Sequence, residues 1–156
     1  MMAKYAIAYA GGLAVLLALD ALWLGLIMRD FYKTELGALM RERPQMAAAG
    51  LFYVLYVVGV VIFATAPALG QGDWVRALIL GGLFGFFAYF TYDMVNFATL
   101  KGYSLRLTLV DIAWGIFVTA SSALGGYFAV QWFARSSFLS VSSDGSCRRD
   151  LSYSFH

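Results

Sequence analysis

Three aspartates interrupt the long apolar stretches of this sequence. Asp20, Asp93 and Asp111 each lie inside a run that is long enough to cross a bilayer. A charged side chain at membrane depth costs roughly 2.5–3.5 kcal/mol even on the more lenient insertion scale, and such residues commonly mark binding sites or pathways. A carboxylate in a medium of low dielectric can bind a cation, share a proton or accept hydrogen bonds. The three residues therefore predict a polar site within the membrane.

Other polar side chains share the depth of the aspartates. Helix rise places Asp20 about 13 Å, Asp93 about 12 Å and Asp111 about 7–8 Å from the nearest basic loop residue, all at one end of the spans. Asn96 follows Asp93 by three residues, so both lie on one helix face. Tyrosine hydroxyls and indole N–H groups are suitable donors to a carboxylate. The candidate binding residues are Asp20, Trp23, Tyr53, Tyr56, Asp93, Asn96, Asp111 and Trp114.

This set of residues has two interpretations. In the first, the side chains line a pocket or pathway for a ligand. In the second, they form a hydrogen-bonded plug that holds the helices together, with each bond worth about 0.6–2 kcal/mol in a membrane. For Trp23 and Trp114 taken alone, packing or anchoring at the membrane interface is a further explanation.

The composition indicates the elements that must position these residues. Of the 156 residues, 62% are hydrophobic and only 13% are charged, whereas a soluble domain averages about half apolar and a quarter charged. The hydropathy pattern predicts an all-α integral membrane protein, a four-helix transmembrane bundle, with a short interfacial helix between spans 1 and 2. The expected spans are 5–28, 46–66, 74–100 and 105–133, with a turn over 67–73.

The sequence divides into two regions. Residues 1–134 are predicted to form the transmembrane domain, and residues 135–156 a serine-rich, disordered tail without apolar periodicity. The single cysteine, Cys147, excludes an intrachain disulfide, and the only histidine is His156. No phosphate-binding loop or nucleophile motif occurs. The sequence leaves the metal and cofactor content undetermined, and a net charge of +2 does not favour nucleic acid as a partner.

The basic residues suggest an orientation. Lys and Arg near the spans are concentrated in the loops after spans 1 and 3. The positive-inside rule places these two loops in the cytoplasm and both termini outside.

Several segments together resemble the DUF2177 family of small bacterial membrane proteins of unknown function. They are Asp20–Gly25, Phe31–Tyr32 with Leu36–Gly37, Ala49–Tyr56, Tyr92–Gly102 and Val110–Gly115. The resemblance covers residues 4–134 and implies a four-span protein of the bacterial inner membrane, but no reaction. All eight candidate residues match the family's motif positions. One departure is Val95, which stands where the family pattern has threonine.

Three functions fit the sequence. The first is binding or movement of a small cation, a proton or a lipid headgroup at the acidic site. The second is an accessory or structural subunit whose aspartates hold helices together, with Gly81 and Gly85 as a packing face towards its own helices, a second copy or another membrane protein. The third is a small lipid-acting enzyme using Asp93, Asp111 and Tyr56. The lack of a histidine in the spans and of a nucleophile motif favours a protein that is not an enzyme. In each case the lipid bilayer is a partner.

Overall fold

The four predicted spans are helices in the structure. The computed structural model describes residues 2–37 and 45–143; 93% of these residues are helical and none of them is in a strand. Four helices are long and apolar enough to cross a membrane. The all-α, four-span fold is thereby confirmed.

Two of the spans contain a π-helical segment. Span 1 (Met2–Ile27) consists of an α-helix, Met2–Leu22, continued by the π-helical residues Trp23–Ile27. A short connecting helix, Arg29–Leu36, follows it, as predicted between spans 1 and 2. Span 2 (Met46–Gln71) joins the α-helix Met46–Val60, a π-helical segment, Val61–Thr65, and a last α-helical part, Ala66–Gln71.

The last two spans are regular α-helices. Span 3 is Trp74–Thr99, and span 4 is the apolar part, Leu105–Ser136, of a helix that continues to Ser143. The first residues of the predicted tail, 135–143, are therefore helical; the remainder, 144–156, lies outside the described residues. The proposed domain boundary at residue 134 stays a prediction.

The expected turn over residues 67–73 starts later than predicted. Span 2 remains helical through Pro67, which closely follows the π-helical segment Val61–Thr65, where the backbone has already left the regular α-helical hydrogen-bond pattern. The chain reverses at Gly72, whose φ of 68° is the left-handed conformation that glycine adopts easily. Asp73 then caps span 3 by accepting a hydrogen bond from the Val75 N–H at 2.9 Å.

Span 4 is the central helix of the bundle. Half of its most apolar segment is buried, against 17% for each of the other three spans. Its main packing partners are spans 3 and 1. The Ser122 hydroxyl donates to the Gly12 carbonyl of span 1 at 2.9 Å, a contact that needs the close backbone approach that small residues allow.

The Gly81–Gly85 pair of span 3 packs inside the protein. A Cβ at Gly81 would meet the Cβ of Ala123 at 2.8 Å, and one at Gly85 would collide with the Gly115 carbonyl and with Thr119. Both glycines are buried against span 4. This surface is therefore occupied within one chain, and no oligomer contact can be assigned to it.

Replacing Gly85 with alanine should destabilise the bundle. The added methyl group has no space against span 4, and overpacking of this kind costs about 1–3 kcal/mol. The matched control is Gly82→Ala on the same helix, where the new Cβ would have only an ordinary 3.6 Å contact with Ile116. Thermal unfolding of the purified protein in mild detergent should show a lower midpoint for Gly85→Ala and an unchanged or higher one for Gly82→Ala. Equal midpoints for the two variants would contradict this packing.

Candidate functional site

The connecting helix and the turn before span 4 meet at one end of the bundle. The Ser104 hydroxyl donates a hydrogen bond to Glu35 of the connecting helix. The same oxygen accepts from the Leu107 N–H at 3.1 Å and so caps span 4. Arg106 lies over the ring of Phe31, 5.3 Å from its centre, which is a cation–π contact. These contacts hold the connecting helix against the start of span 4, close to the aspartates.

Asp20 links span 1 to spans 2 and 4. Its carboxylate is buried and accepts a hydrogen bond from the Trp114 indole N–H at 3.0 Å. The Tyr53 hydroxyl of span 2 lies close enough to interact electrostatically with it. The one hydrogen-bond donor to Asp20 among the described residues is therefore neutral and belongs to span 4.

Asp111 is tied to the connecting helix. It accepts a hydrogen bond from the Tyr32 hydroxyl, and that hydroxyl in turn accepts from the Trp23 indole N–H at 3.4 Å. The rings of Trp23 and Trp114 stack with centres 4.1 Å apart and planes 4° apart. Two hydrogen-bonded groups, one of Asp111, Tyr32 and Trp23 and the other of Trp114 and Asp20, thus lie side by side through the stacked indole rings.

Asp93 is fully buried and only half satisfied. Its Oδ1 accepts a hydrogen bond from the Tyr103 hydroxyl at 2.6 Å, and Tyr103 also interacts with Asn96. Its Oδ2 is buried without a hydrogen-bond partner among the described residues. An unpaired buried polar atom of this kind costs about 1–3 kcal/mol, and among the described residues no other buried side-chain nitrogen or oxygen atom is unpaired.

The three aspartates lie near each other without forming one ligand cluster. Asp111 is within electrostatic range of both Asp93 and Asp20. In the part of the chain that the structure describes, no three acidic, histidine or cysteine side chains come close enough to hold one metal ion. The site is a set of neighbouring single carboxylates.

Seven of the eight candidate residues belong to these interactions. The exception is Tyr56, whose hydroxyl pairs with Thr119 of span 4 at 2.7 Å rather than with a carboxylate. Tyr56 contributes instead to the aromatic packing behind the site, against Phe84 and Tyr89. The assignment of all eight as binding residues remains a prediction.

Two important tyrosines were absent from the sequence-derived set. Tyr32 and Tyr103 donate to Asp111 and Asp93, yet both lie outside the spans, in the connecting helix and in the turn before span 4. A search restricted to the spans misses such residues. The usable signal is an aromatic hydroxyl in a short loop that adjoins an acidic span.

Both of these tyrosines act as hydrogen-bond donors. Burial raises the pKa of the Tyr32 and Tyr103 hydroxyls above the usual range, and the hydrogen bond that each makes to a carboxylate raises that pKa further. A raised pKa keeps the hydroxyls protonated at neutral pH. They therefore present O–H donors to Asp111 and Asp93 and do not serve as bases.

Comparison with known families identifies one model that matches the chain. It is described as "Predicted membrane protein (DUF2177)" and matches residues 5–128. The match includes all eight candidate residues and confirms the resemblance seen in the sequence. Comparisons with curated proteins and with solved structures give no match.

Replacing Tyr103 with phenylalanine should destabilise the protein. The change removes the hydroxyl that donates to Asp93 and leaves that buried carboxylate without a hydrogen-bond donor. The free energy of unfolding should fall by about 1–3 kcal/mol. Tyr92→Phe is the matched control, because Tyr92 lies on span 3 with a largely exposed side chain. Chemical unfolding in detergent measures both variants, and a Tyr103→Phe protein as stable as Tyr92→Phe would show that the hydrogen bond is not important.

Proposed function

The chain belongs to the DUF2177 family of predicted membrane proteins, and we propose that it binds a small, positively charged ligand at its intramembrane acidic site. The ligand is an inorganic monovalent cation or a proton. The family description names no activity, so the proposal is based on the chemistry of the site.

The observation that carries the proposal is which groups donate hydrogen bonds to the three carboxylates. Within residues 2–37 and 45–143, the hydrogen bonds to Asp20, Asp93 and Asp111 come from tyrosine hydroxyls and an indole N–H, all of them neutral. Neutral donors do not balance a negative charge in low dielectric. A cation or a proton would balance it, and the unpaired Oδ2 of Asp93 offers a place for either.

The arrangement of the carboxylates favours a singly charged ligand. A calcium ion takes six to eight oxygen ligands, usually with several carboxylates, and the described residues contain no such cluster. A single carboxylate with hydroxyl and amide neighbours, as at Asp93 with Tyr103 and Asn96, suits a proton or a monovalent cation.

The ligand would enter from the end that carries the connecting helix. Tyr32 and Tyr103 lie at this end and contact Asp111 and Asp93 directly. The basic residues of the loops after spans 1 and 3 favour this end as the cytoplasmic one. We accordingly propose a location in the bacterial inner membrane with both termini outside.

The second candidate function is structural. Each aspartate joins different elements: Asp20 joins span 1 to span 4, and Asp111 joins span 4 to the connecting helix. These bonds favour a plug that holds helices together, as an accessory subunit would need. The two functions differ in one measurable respect, because only a binding site responds to a ligand.

Asparagine substitutions separate the two functions. Asp20→Asn, Asp93→Asn and Asp111→Asn keep the side-chain shape and one acceptor oxygen but remove the charge. For binding, we expect wild-type thermal stability to rise with Na⁺ or K⁺ concentration or to change with pH, and this response to weaken in at least one variant. Saturation at 100 times the dissociation constant corresponds to about 2.7 kcal/mol of stabilisation.

The control for these variants is Asp30→Asn, a neutralised acid on the exposed side of the connecting helix. It should keep the wild-type response. The binding function would be rejected, and the structural one left, by two results together. The wild-type unfolding midpoint would be the same in Na⁺, in K⁺ and in choline, and its dependence on pH would be the same as in all three variants.

The orientation has its own test. Fusion of a periplasm-dependent reporter enzyme after residue 136 should give activity, and a fusion within the loop at Lys101 should give none, because the basic loops are retained in the cytoplasm. Exchanging Lys101 and Arg106 for glutamine should weaken this preference. The opposite pattern of reporter activity would place the acidic site at the other membrane face.

A further inference from the structure

A groove lies at the end of the bundle opposite to the three aspartates. It has a volume of about 840 Å³ and is formed by the last turns of span 4 together with Trp74, the first residue of span 3. This volume lies within the range of about 300–1,000 Å³ typical of small-molecule sites. Because span 3 begins at Trp74 and span 4 ends at Ser136, the groove lies where both spans leave the hydrocarbon region, at the membrane interface.

Three polar side chains of span 4 follow one another along this groove. Tyr127, Gln131 and Arg135 all line it and are spaced by four residues, which puts them on one face of the helix with about 6 Å of helix rise between neighbours. Arg135 lies one residue before the end of the span, and Tyr127 lies about 12 Å deeper in the membrane. With increasing depth the groove therefore presents a cation, an amide and a hydroxyl.

The deepest of these groups, the Tyr127 hydroxyl, is fixed by the protein and left without a partner. The side chain is 5% exposed and belongs to the hydrophobic core, together with Val60 of span 2 and Ala77 of span 3. Its hydroxyl has no hydrogen-bond partner among the described residues. The hydroxyl is not fully enclosed either, because the one fully buried and unpaired side-chain oxygen or nitrogen among those residues is Oδ2 of Asp93. The Tyr127 hydroxyl therefore opens onto the groove that its side chain lines.

The groove is positively charged and faces the lipid. Of the described residues that line it, Arg135 is the only charged one, and its guanidinium has no ion-pair partner within residues 2–37 and 45–143. Trp74 and Trp132 border the groove with largely exposed rings, as is usual for tryptophan at the level of lipid headgroups. Phe128 lies deeper and is also exposed. A ligand that suits this surface has an anionic end near the water and an apolar end towards the bilayer centre.

From this arrangement we propose that the groove binds one anionic phospholipid. The lipid phosphate contacts Arg135, because a guanidinium matches phosphate in shape and charge, and the ester carbonyls accept hydrogen bonds from Gln131 and Tyr127. Phosphate outermost and esters deeper is the order of these groups in a phospholipid, and it is the order of the side chains along span 4. A zwitterionic headgroup would bring an ammonium group that has no acidic partner among the described lining residues. This inference is independent of the proposed function, since the two sites lie at opposite ends of the bundle.

The binding experiment uses the full chain in mild detergent and dioctanoyl phosphatidylglycerol as the probe. Native mass spectrometry over a lipid titration should show one tightly bound lipid, with weaker binding of dioctanoyl phosphatidylcholine, which has the same acyl chains and no net charge. Arg135→Gln should weaken probe binding about tenfold, because a hydrogen bond to a charged group is lost, and should remove the preference for the anionic lipid. Tyr127→Phe should weaken the binding of both lipids several-fold, because it removes only the hydroxyl.

Two matched controls test the location. Arg76→Gln neutralises a basic residue of the same bundle end that pairs with Gln71 and does not line the groove, and Tyr5→Phe removes a hydroxyl near the start of span 1. Both should bind the probe as the wild type does. Arg135 is exposed and the Tyr127 hydroxyl bonds to no described residue, so both test variants should fold.

Three results would each overturn the inference. The first is wild-type affinity in Arg135→Gln or in Tyr127→Phe, and the second is an equal loss of binding in Arg76→Gln, which would indicate general attraction of lipid to a basic surface. The third is equal affinity for the two lipids. Glycerol phosphate, which has no acyl chains, should not raise the thermal stability. A stabilisation as large as that by the lipid would assign the groove to a water-soluble phosphate and would also overturn the inference.

Discussion

A carboxylate inside a bilayer must find its hydrogen-bond donors within the protein, because the hydrocarbon region contains no water to supply them. This requirement explains the arrangement at the loop end of the bundle. Asp20 takes its donor from span 4, Asp111 from the connecting helix, and Asp93 from the turn before span 4. Elements outside the spans are thereby fixed to the helices, and the connecting helix gains a defined position despite its short length.

The packing of span 4 makes these contacts geometrically feasible. The donors and acceptors belong to different helices, so their side chains meet only if the helix axes approach closely. Gly85 and Gly115 provide that approach: a Cβ at Gly85 would strike the Gly115 carbonyl, and one at Gly115 would strike the Tyr89 ring. Small residues are the usual means of close packing between membrane helices. The glycines thus position the acidic site as well as stabilise the fold.

The sequence was sufficient for the four-span fold, because this follows from hydropathy and helix periodicity. Asp20 and Trp114 belong to distant segments; a shared depth made both of them candidates for one polar site, but their hydrogen bond is seen only in the structure. The depth of a residue in the membrane does not say in which direction around the helix its side chain points, however. It therefore could not show that Tyr56 turns towards Thr119. It also gave no information on Tyr32 and Tyr103, whose positions depend on how the loops fold back onto the helices. Pro67 was predicted to lie in a turn because proline usually ends a helix; the π-helical segment that precedes it, Val61–Thr65, has no clear sequence signal.

The three aspartates are chemically unequal, and the inequality suggests a division of roles. Asp20 is buried and accepts a hydrogen bond from span 4, so removing its charge would chiefly disturb helix packing. Asp93 is also buried but keeps one oxygen unpaired among the described residues. A proton or a bare cation would therefore bind most favourably at this carboxylate. Asp111 is only partly buried and, of the described residues, Tyr32 alone donates a hydrogen bond to it, so it is the most accessible of the three carboxylates. Because Asp111 lies within electrostatic range of both other aspartates, a positive charge that arrives there changes the energy of charging each of them. A cation bound at Asp111 and the protons on the two buried carboxyls would therefore affect each other's binding, without any movement of the helices.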